Sequence, residues 1–373
     1  MQLRSTEIER ALQDEVRAFL ATDRLTPGDL PHALDARIEA LRGWQAQCYR
    51  EGYVGRAWPE AFGGRGRPPV EQILIDQELA AAGAPEFVNV VGLDVLGPSL
   101  LRFGDDQQRR RYIPAILSAE EIWCQGFSEP EAGSDLASLR TRAVENDDHF
   151  LLSGSKTWVS WGQFARFCGV LARTEAGGPK HRGISMLIVD MTSPGVDVRP
   201  MTQITGHAEF CELFLDDVVV PKENLLGARG DGWKIAMFTL GHERGTAALP
   251  RQVKLRTWLD RAVRDAREQL ADPVVQVDLA RALIGVEVLR HHAYRTVGEF
   301  LNGGAVGPDS STVKLLMAEA EQRLAATALE TLGHQDEFWN ETYLYSRAAS
   351  VYGGTAQIQR NIIADRILAL PQE

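Results

Sequence analysis

A chain of 373 residues, 44% hydrophobic and 24% charged, is long enough for two or three domains and a sizeable core. Its formal net charge of −11 at pH 7 argues against general nucleic-acid binding, which rests on neutralising phosphates with a basic surface. No apolar run reaches the roughly 18 residues that a membrane span needs, so none is expected. Glu7, Glu9, Asp14 and Glu15 interrupt the first apolar pattern and do not suit a basic, then apolar, signal peptide, which reads as a cytoplasmic location. The four cysteines, Cys48, Cys124, Cys168 and Cys211, are far apart and form no CxxC pair. Neither a metal site nor a disulfide framework is expected.

From Glu7 to Leu117 the spacing predicts helices, as at Ile73, Leu74 and Asp76 to Ala82, with breaks at Pro27, Gly28, Pro59, Gly63, Gly64, Pro68 and Pro69. From Ile122 to about Leu226 the texture changes to short β-rich runs, His149 to Leu152, Thr157 to Ser160, Ile184 to Met191 and Cys211 to Val220, best suited to an antiparallel domain. Beyond Gly232 the chain is helical again: Val313, Leu316, Met317, Ala320, Leu324 and Ala328 trace one buried helix face. The order α, β, α gives an α+β fold class with expected domains at 1–121, 122–227 and 228–373.

One segment stands out, Trp123-Cys-Gln-Gly-Phe-Ser-Glu-Pro-Glu-Ala-Gly-Ser-Asp135, where a strand-like start breaks into a loop of Pro, Gly and small hydroxylated residues. By composition it is an ordinary turn. In order, however, residues 128–135 resemble the Thr-Glu-Pro-x-Ala-Gly-Ser-Asp signature of the acyl-CoA dehydrogenases. Gly154-Ser-Lys-Thr-Trp-Val-Ser160, Phe214 to Gly227, and Tyr352-Gly-Gly-Thr-Ala-Gln-Ile-Gln-Arg-Asn-Ile-Ile-Ala-Asp-Arg366 extend the resemblance over nearly the whole chain. It implies an N-terminal α-helical domain, a middle antiparallel β-barrel and a C-terminal four-helix bundle. It also implies noncovalent FAD, although no GxGxxG fingerprint is present.

The resemblance assigns roles residue by residue. The backbone around Phe127 and the Ser128 hydroxyl contact the pyrimidine side of the flavin, Trp158 lies against the ring, and Ser160 bonds near N5. Thr355 and Gln357 match positions that contact the adenine half of FAD, and Ser134 faces the CoA arm of the substrate. Each has a plainer reading. Trp158 would be a core aromatic of a strand, Ser134 a turn former, and Thr355 with Gln357 a helix cap.

Oxidation of an acyl thioester to its α,β-enoyl product needs a base beside the α-carbon. Many family members take it from the Glu of a Tyr-Glu-Gly-Thr string, but here the string is Tyr352-Gly353-Gly354-Thr355. A second family pattern, that of long-chain and isovaleryl-type enzymes, puts Glu before Arg on an earlier helix. Gly241-His-Glu-Arg-Gly245 fits it, so Glu243 is assigned as the base and Arg244 to the substrate. Adjacent charges are otherwise a solvated helix pair. Gly353 keeps a backbone N–H for the thioester carbonyl, and its missing side chain implies a bulky, long or branched acyl group, steroid side chains included.

The implied partners are an acyl-CoA, an acceptor such as electron-transfer flavoprotein, and further subunits in a homo- or hetero-oligomer, dimer or tetramer. Gln276, where related sequences often have Arg, and Leu332-Gly-His-Gln335 depart from the family's cross-subunit FAD segments. Two rival readings remain. One is a flavin oxidase or monooxygenase on the same scaffold, and the other a subunit that completes a partner's FAD site.

Overall fold

The computed structural model describes residues 6–23, 25–246, 248–301 and 307–371, without the side chains of 242–246, 248 and 300. The first helix, α1 (Glu7–Asp23), buries Leu12, Val16 and Leu20, an i, i+4, i+8 stripe. Next come α2 (Leu34–Arg50) and α3 (Pro69–Ala81), the latter opening on a proline whose fixed φ suits the first helical position. A π-helical turn, Val91–Leu96, leads into α4 (Gly97–Phe103). The start of α5 (Asp106–Leu117) is fixed by a capping box: Asp105 accepts from Gln108 N at 2.8 Å while the Gln108 side chain accepts from Asp105 N.

Eight strands follow: β1 (Trp123–Gly126), β2 (Arg142–Glu145), β3 (His149–Ser160), β4 (Phe167–Arg173), β5 (Ile184–Asp190), β6 (Val196–Met201), β7 (Phe210–Pro221) and β8 (Leu225–Leu226). They form one sheet in the order β6-β7-β3-β2-β4-β5-β8, with β1 added on β4. The pairings are antiparallel except β1 with β4 and a single β2–β4 pair, Arg142 with Arg173. β4 and β5 are buried on both faces, which their unbroken apolar runs require. The remaining helices are α6 (Gly232–Thr246), α7 (Ala248–Asp265), α8 (Pro273–Leu301), α9 (Asp309–Leu332), α10 (Glu337–Ser346) and α11 (Ala356–Arg366).

Two compact units interleave along the chain. One comprises the residues up to Asp29, Pro68–Pro85 and everything from Glu243 onward; the other comprises Leu30–Arg67 and Glu86–His242. The helical unit is built on Leu255, Leu259, Val286, Leu289, Val313, Leu324 and Trp339, with Ile73 of α3 packed against them. Val313, Ala320, Leu324 and Ala328 of α9 are buried, as their spacing predicts, with Leu316 and Met317 partly so. The sheet unit packs Cys124, Phe150, Leu152, Val170, Val189, Leu213 and Val218 together. The four cysteines are free and buried. No helix among the described residues is long and apolar enough to cross a membrane.

The two predicted strands at 149–152 and 157–160 are one, β3, interrupted by irregularities. Its pairing with β7 slips between Leu152 and Gly154 and again between Lys156 and Val159. At Gly154, φ is 150° and a Cβ would lie 2.7 Å from the Thr141 Cα, so only glycine lets β3 pass the segment entering β2.

Candidate active site

β1 carries the first motif out of the core. Its first residue is anchored by Asn89, fully buried, whose Oδ1 accepts from Trp123 N at 2.8 Å while Nδ2 donates to the carbonyls of Ile116 and Glu121. Past Gly126 the strand ends, Phe127 stays buried and Ser128 is half-buried. Glu129 and Ala132 then close a tight turn by exchanging backbone hydrogen bonds, each 3.1 Å. Ser134 is exposed beyond that turn, ahead of the 3-10 turn Leu136–Ser138.

The first two motifs meet through backbone and charge. Thr157 N donates to Ser128 O at 2.9 Å. Lys156, entirely buried, donates from Nζ to Glu129 Oε1 at 2.8 Å and to Phe127 O at 3.2 Å. Glu129 is buried too and accepts from the backbone N–H groups of Arg140 (2.7 Å) and Thr141 (2.9 Å). Burial pushes the Glu129 carboxyl up, but Lys156 and the donors from 140 and 141 outweigh it and hold it below its ordinary value. Burial pulls the Lys156 ammonium below its ordinary value, with Glu129 opposing. A carboxylate with three converging donors is satisfied only when ionised, so the pair is an ion pair. Sequence reasoning read both residues as letters of a motif; the signal it missed is a lysine at an inward-facing strand position, which needs a partner.

The second slip in β3 falls on Trp158. Its backbone sits at φ 59°, in the left-handed region, and its side chain is 59% exposed, touching Phe210 edge-on at 6.0 Å. The plain reading of Trp158 as a core aromatic therefore fails: the bulge re-aims the indole out of the sheet, at a strain of about 1–2 kcal/mol. Strained, exposed aromatic residues collect at ligand sites. With half-buried hydroxyls at Ser128 and at Ser160, where β3 ends, this face offers the flat apolar surface and polar groups that a heteroaromatic ligand such as a flavin needs. Trp158→Gly is expected to change the unfolding free energy by less than about 1 kcal/mol, since relief of strain offsets the entropy of glycine. A buried tryptophan would cost about 3–5 kcal/mol, so a fall of that size in urea melts would return Trp158 to the core.

The C-terminal motif lies in the helical unit. Gly353 and Gly354 both have positive φ, 61° and 93°, in the turn before α11. Fully buried Gln359 donates from Nε2 to the carbonyls of Gly353 (3.0 Å) and Gly354 (3.3 Å), while its Oε1 has no partner. Tyr352 is held from α7 and α9: Arg251 donates to its hydroxyl at 3.0 Å and to the buried Glu321 carboxylate at 3.0 Å. Lys314 sits over the Tyr352 ring and donates to Ala349 O. Thr355 is the N-cap of α11, accepting from Ile358 N at 3.2 Å, and Gln357 is exposed on its first turn. Gln276 is exposed on α8, its amide donating to Leu270 O at 2.7 Å.

Glu243 and Arg244 fall in the last turn of α6, and their side chains lie outside the described residues. A second carboxyl of interest, unforeseen from sequence, is Asp76 on α3. Burial pushes it up to about 7, against a hydrogen bond from Gln72 Nε2 at 2.8 Å. Among the described residues no group of three or more His, Cys, Asp or Glu could hold a metal. A cleft of about 1090 Å³ along β2 is lined by none of the site residues predicted from sequence. Within it Glu145 pairs with Lys222 (2.9 Å) and Arg229 (2.7 Å).

The chain is similar to known proteins over nearly its whole length. The family described as acyl-CoA dehydrogenase, N-terminal domain, matches residues 6–120, the middle domain 124–218 and the C-terminal domain 230–368. Acyl-CoA dehydrogenase IpdE1 of Mycobacterium tuberculosis is 42% identical over 349 residues, covering 90% of this chain and 89% of that protein. Among solved structures, the Tcur3481-Tcur3483 steroid ACAD is similar with a TM-score of 0.88 at 28% identity, covering 100% of both chains. The ChsE4-ChsE5 complex from Mycobacterium tuberculosis is similar at 0.84 and 28%, again over 100% of both.

Proposed function

The chain belongs to the acyl-CoA dehydrogenase family of FAD-dependent oxidoreductases acting on CH–CH bonds, and from that premise we propose that Glu243 removes the α-proton of a bulky acyl-CoA thioester. The observation that carries this reading is the Tyr352-Gly-Gly-Thr turn. It has a glycine in left-handed backbone at 353 and no carboxylate there, while the last turn of α6 carries one at 243. We keep the division 1–121, 122–227 and 228–373 as the proposed domains.

In this reading the Phe127 backbone, Ser128, Trp158 and Ser160 hold the ring system of FAD, and Thr355 with Gln357 its adenine half. When bound, FAD supplies the hydride acceptor. The Gly353 N–H holds the thioester carbonyl and acidifies the α-carbon, a donor worth about 10²- to 10³-fold in rate. Ser134 and Arg244 orient the substrate. The absent side chain at 353 leaves room for a branched, long or steroid-type acyl group, a substrate class in keeping with the steroid ACAD to which the chain is similar. Electrons leave to an external acceptor such as electron-transfer flavoprotein.

A second reading is favoured by Gln276, whose amide is spent on its own chain's Leu270, and by similarity to two structures titled as pairs of chains. In it, this chain shares an FAD site with a different subunit. The visible spectrum of the chain purified alone, before and after a panel of thioesters, separates these. A bound flavin bleached by branched or steroid-type thioesters is expected; preference for butyryl-CoA removes the bulky-substrate reading. A colourless chain that gains flavin only with a second subunit establishes the heteromer.

A further inference from the structure

The buried ion pair between Lys156 and Glu129 does something a purely structural pair need not do. Nζ of Lys156 also holds Phe127 O, 3.2 Å away. That carbonyl belongs to the Phe127–Ser128 peptide, and none of the described peptide bonds is cis. In a trans peptide the C=O and N–H point in opposite directions, so the Ser128 N–H is directed away from Lys156. The next carbonyl, Ser128 O, is taken up by Thr157 N, and Glu129 N by Ala132 O. The orientation of the Phe127–Ser128 peptide is thus fixed from β3.

We propose that Lys156 is a positioning residue that tunes the bound flavin through the Phe127–Ser128 peptide. The inference rests on the reading above that this backbone faces the pyrimidine side of the ring. A cation on a peptide carbonyl draws charge along the conjugated C–N bond and makes the N–H of the same unit a stronger donor. Such a donor favours the anionic reduced ring over the neutral oxidised one, as charge-assisted hydrogen bonds do. Glu129 holds the ammonium in place: Arg140 N and Thr141 N fix the carboxylate, and the carboxylate fixes Nζ.

The test is the reduction potential of the FAD-loaded chain, measured against reference dyes. Lys156→Met combined with Glu129→Gln removes the cation and the counter-charge together, and the glutamine oxygen keeps one of the two backbone donors, Arg140 N or Thr141 N, that the carboxylate takes on separate oxygens. The expected result is retained FAD whose reduction is less favourable by about tenfold, about 30 mV for a two-electron couple. Lys156→Arg, which keeps a cation at this carbonyl, is expected to stay near the wild-type potential. A wild-type potential in the double variant overturns the proposal, and so does loss of FAD from both variants, which would make the pair structural only. Ser128→Ala separates the two levels of the argument. If it changes the flavin spectrum while the double variant leaves the potential unmoved, the relay alone fails; if neither changes anything, the placement of the flavin at 127–128 fails with it.

Discussion

Glu243→Gln is expected to abolish bleaching of the flavin by an acyl thioester, with FAD content unchanged. The α-hydrogen of a thioester leaves only to a base, and a carboxamide of the same shape has no basic lone pair to offer. General bases contribute about 10²- to 10⁴-fold, and loss of the sole base at the α-carbon belongs at the upper end of that range. Under that assignment the wild-type rate of flavin reduction rises with pH as the base ionises and then levels off. The glutamine variant lacks that limb. Asp76→Asn is the control, because burial pushes the Asp76 carboxyl up to about 7 and equips it for proton transfer by the same criterion. The Asp76 variant is expected to bleach normally, and normal bleaching by the Glu243 variant removes the assignment.

The α, β, α order was legible in the sequence because parts of it obey local rules: the period of α9, the apolar run of β5, the turn residues after β1. The motifs likewise identified the family and flagged Gly353, where the usual carboxylate is missing. Three things were not legible. The grouping of α1 and α3 with the C-terminal helices depends on contacts between segments remote in sequence, such as Arg17 of α1 with Glu78 of α3 and Gln77 of α3 with Tyr294 of α8. Trp158 looked like any strand aromatic, since a bulge is set by the register of β3 against β7 and leaves no mark in the residue itself. The Thr355 hydroxyl caps α11, but capping and ligand contact use the same polar residue types, so composition could not rank them. Polar residues inside α9 were also passed over: Lys314 and Glu321 break no apolar period, yet both are buried and, with Arg251, hold Tyr352.

Lys156→Met alone should destabilise the chain by about 3–5 kcal/mol at neutral pH, read as a lower urea midpoint. The cause is the partner left behind. Glu129 remains buried with two backbone donors and no cation, and a buried carboxylate without its counter-charge is costly. The pH dependence follows from the same residue. In the wild type the Glu129 carboxyl is held below its ordinary value, so its contribution is fully present above the unfolded pKa and is lost as acid takes the pH down through the folded one. In the variant burial is no longer offset by Lys156, the carboxyl moves upward, and mild acid relieves the penalty by protonating it. The stability gap between wild type and variant is therefore largest near pH 7 and narrows toward pH 4, because the variant recovers stability as its raised carboxyl protonates above the ordinary carboxylate range, and the wild type begins to lose its own only once the pH falls below that range. Adding Glu129→Gln to Lys156→Met should restore most of the midpoint at pH 7 and flatten the difference with pH. A gap that stays constant with pH, or that the second substitution does not close, would mean that the loss comes from packing of the lysine stem and not from the charge on Glu129.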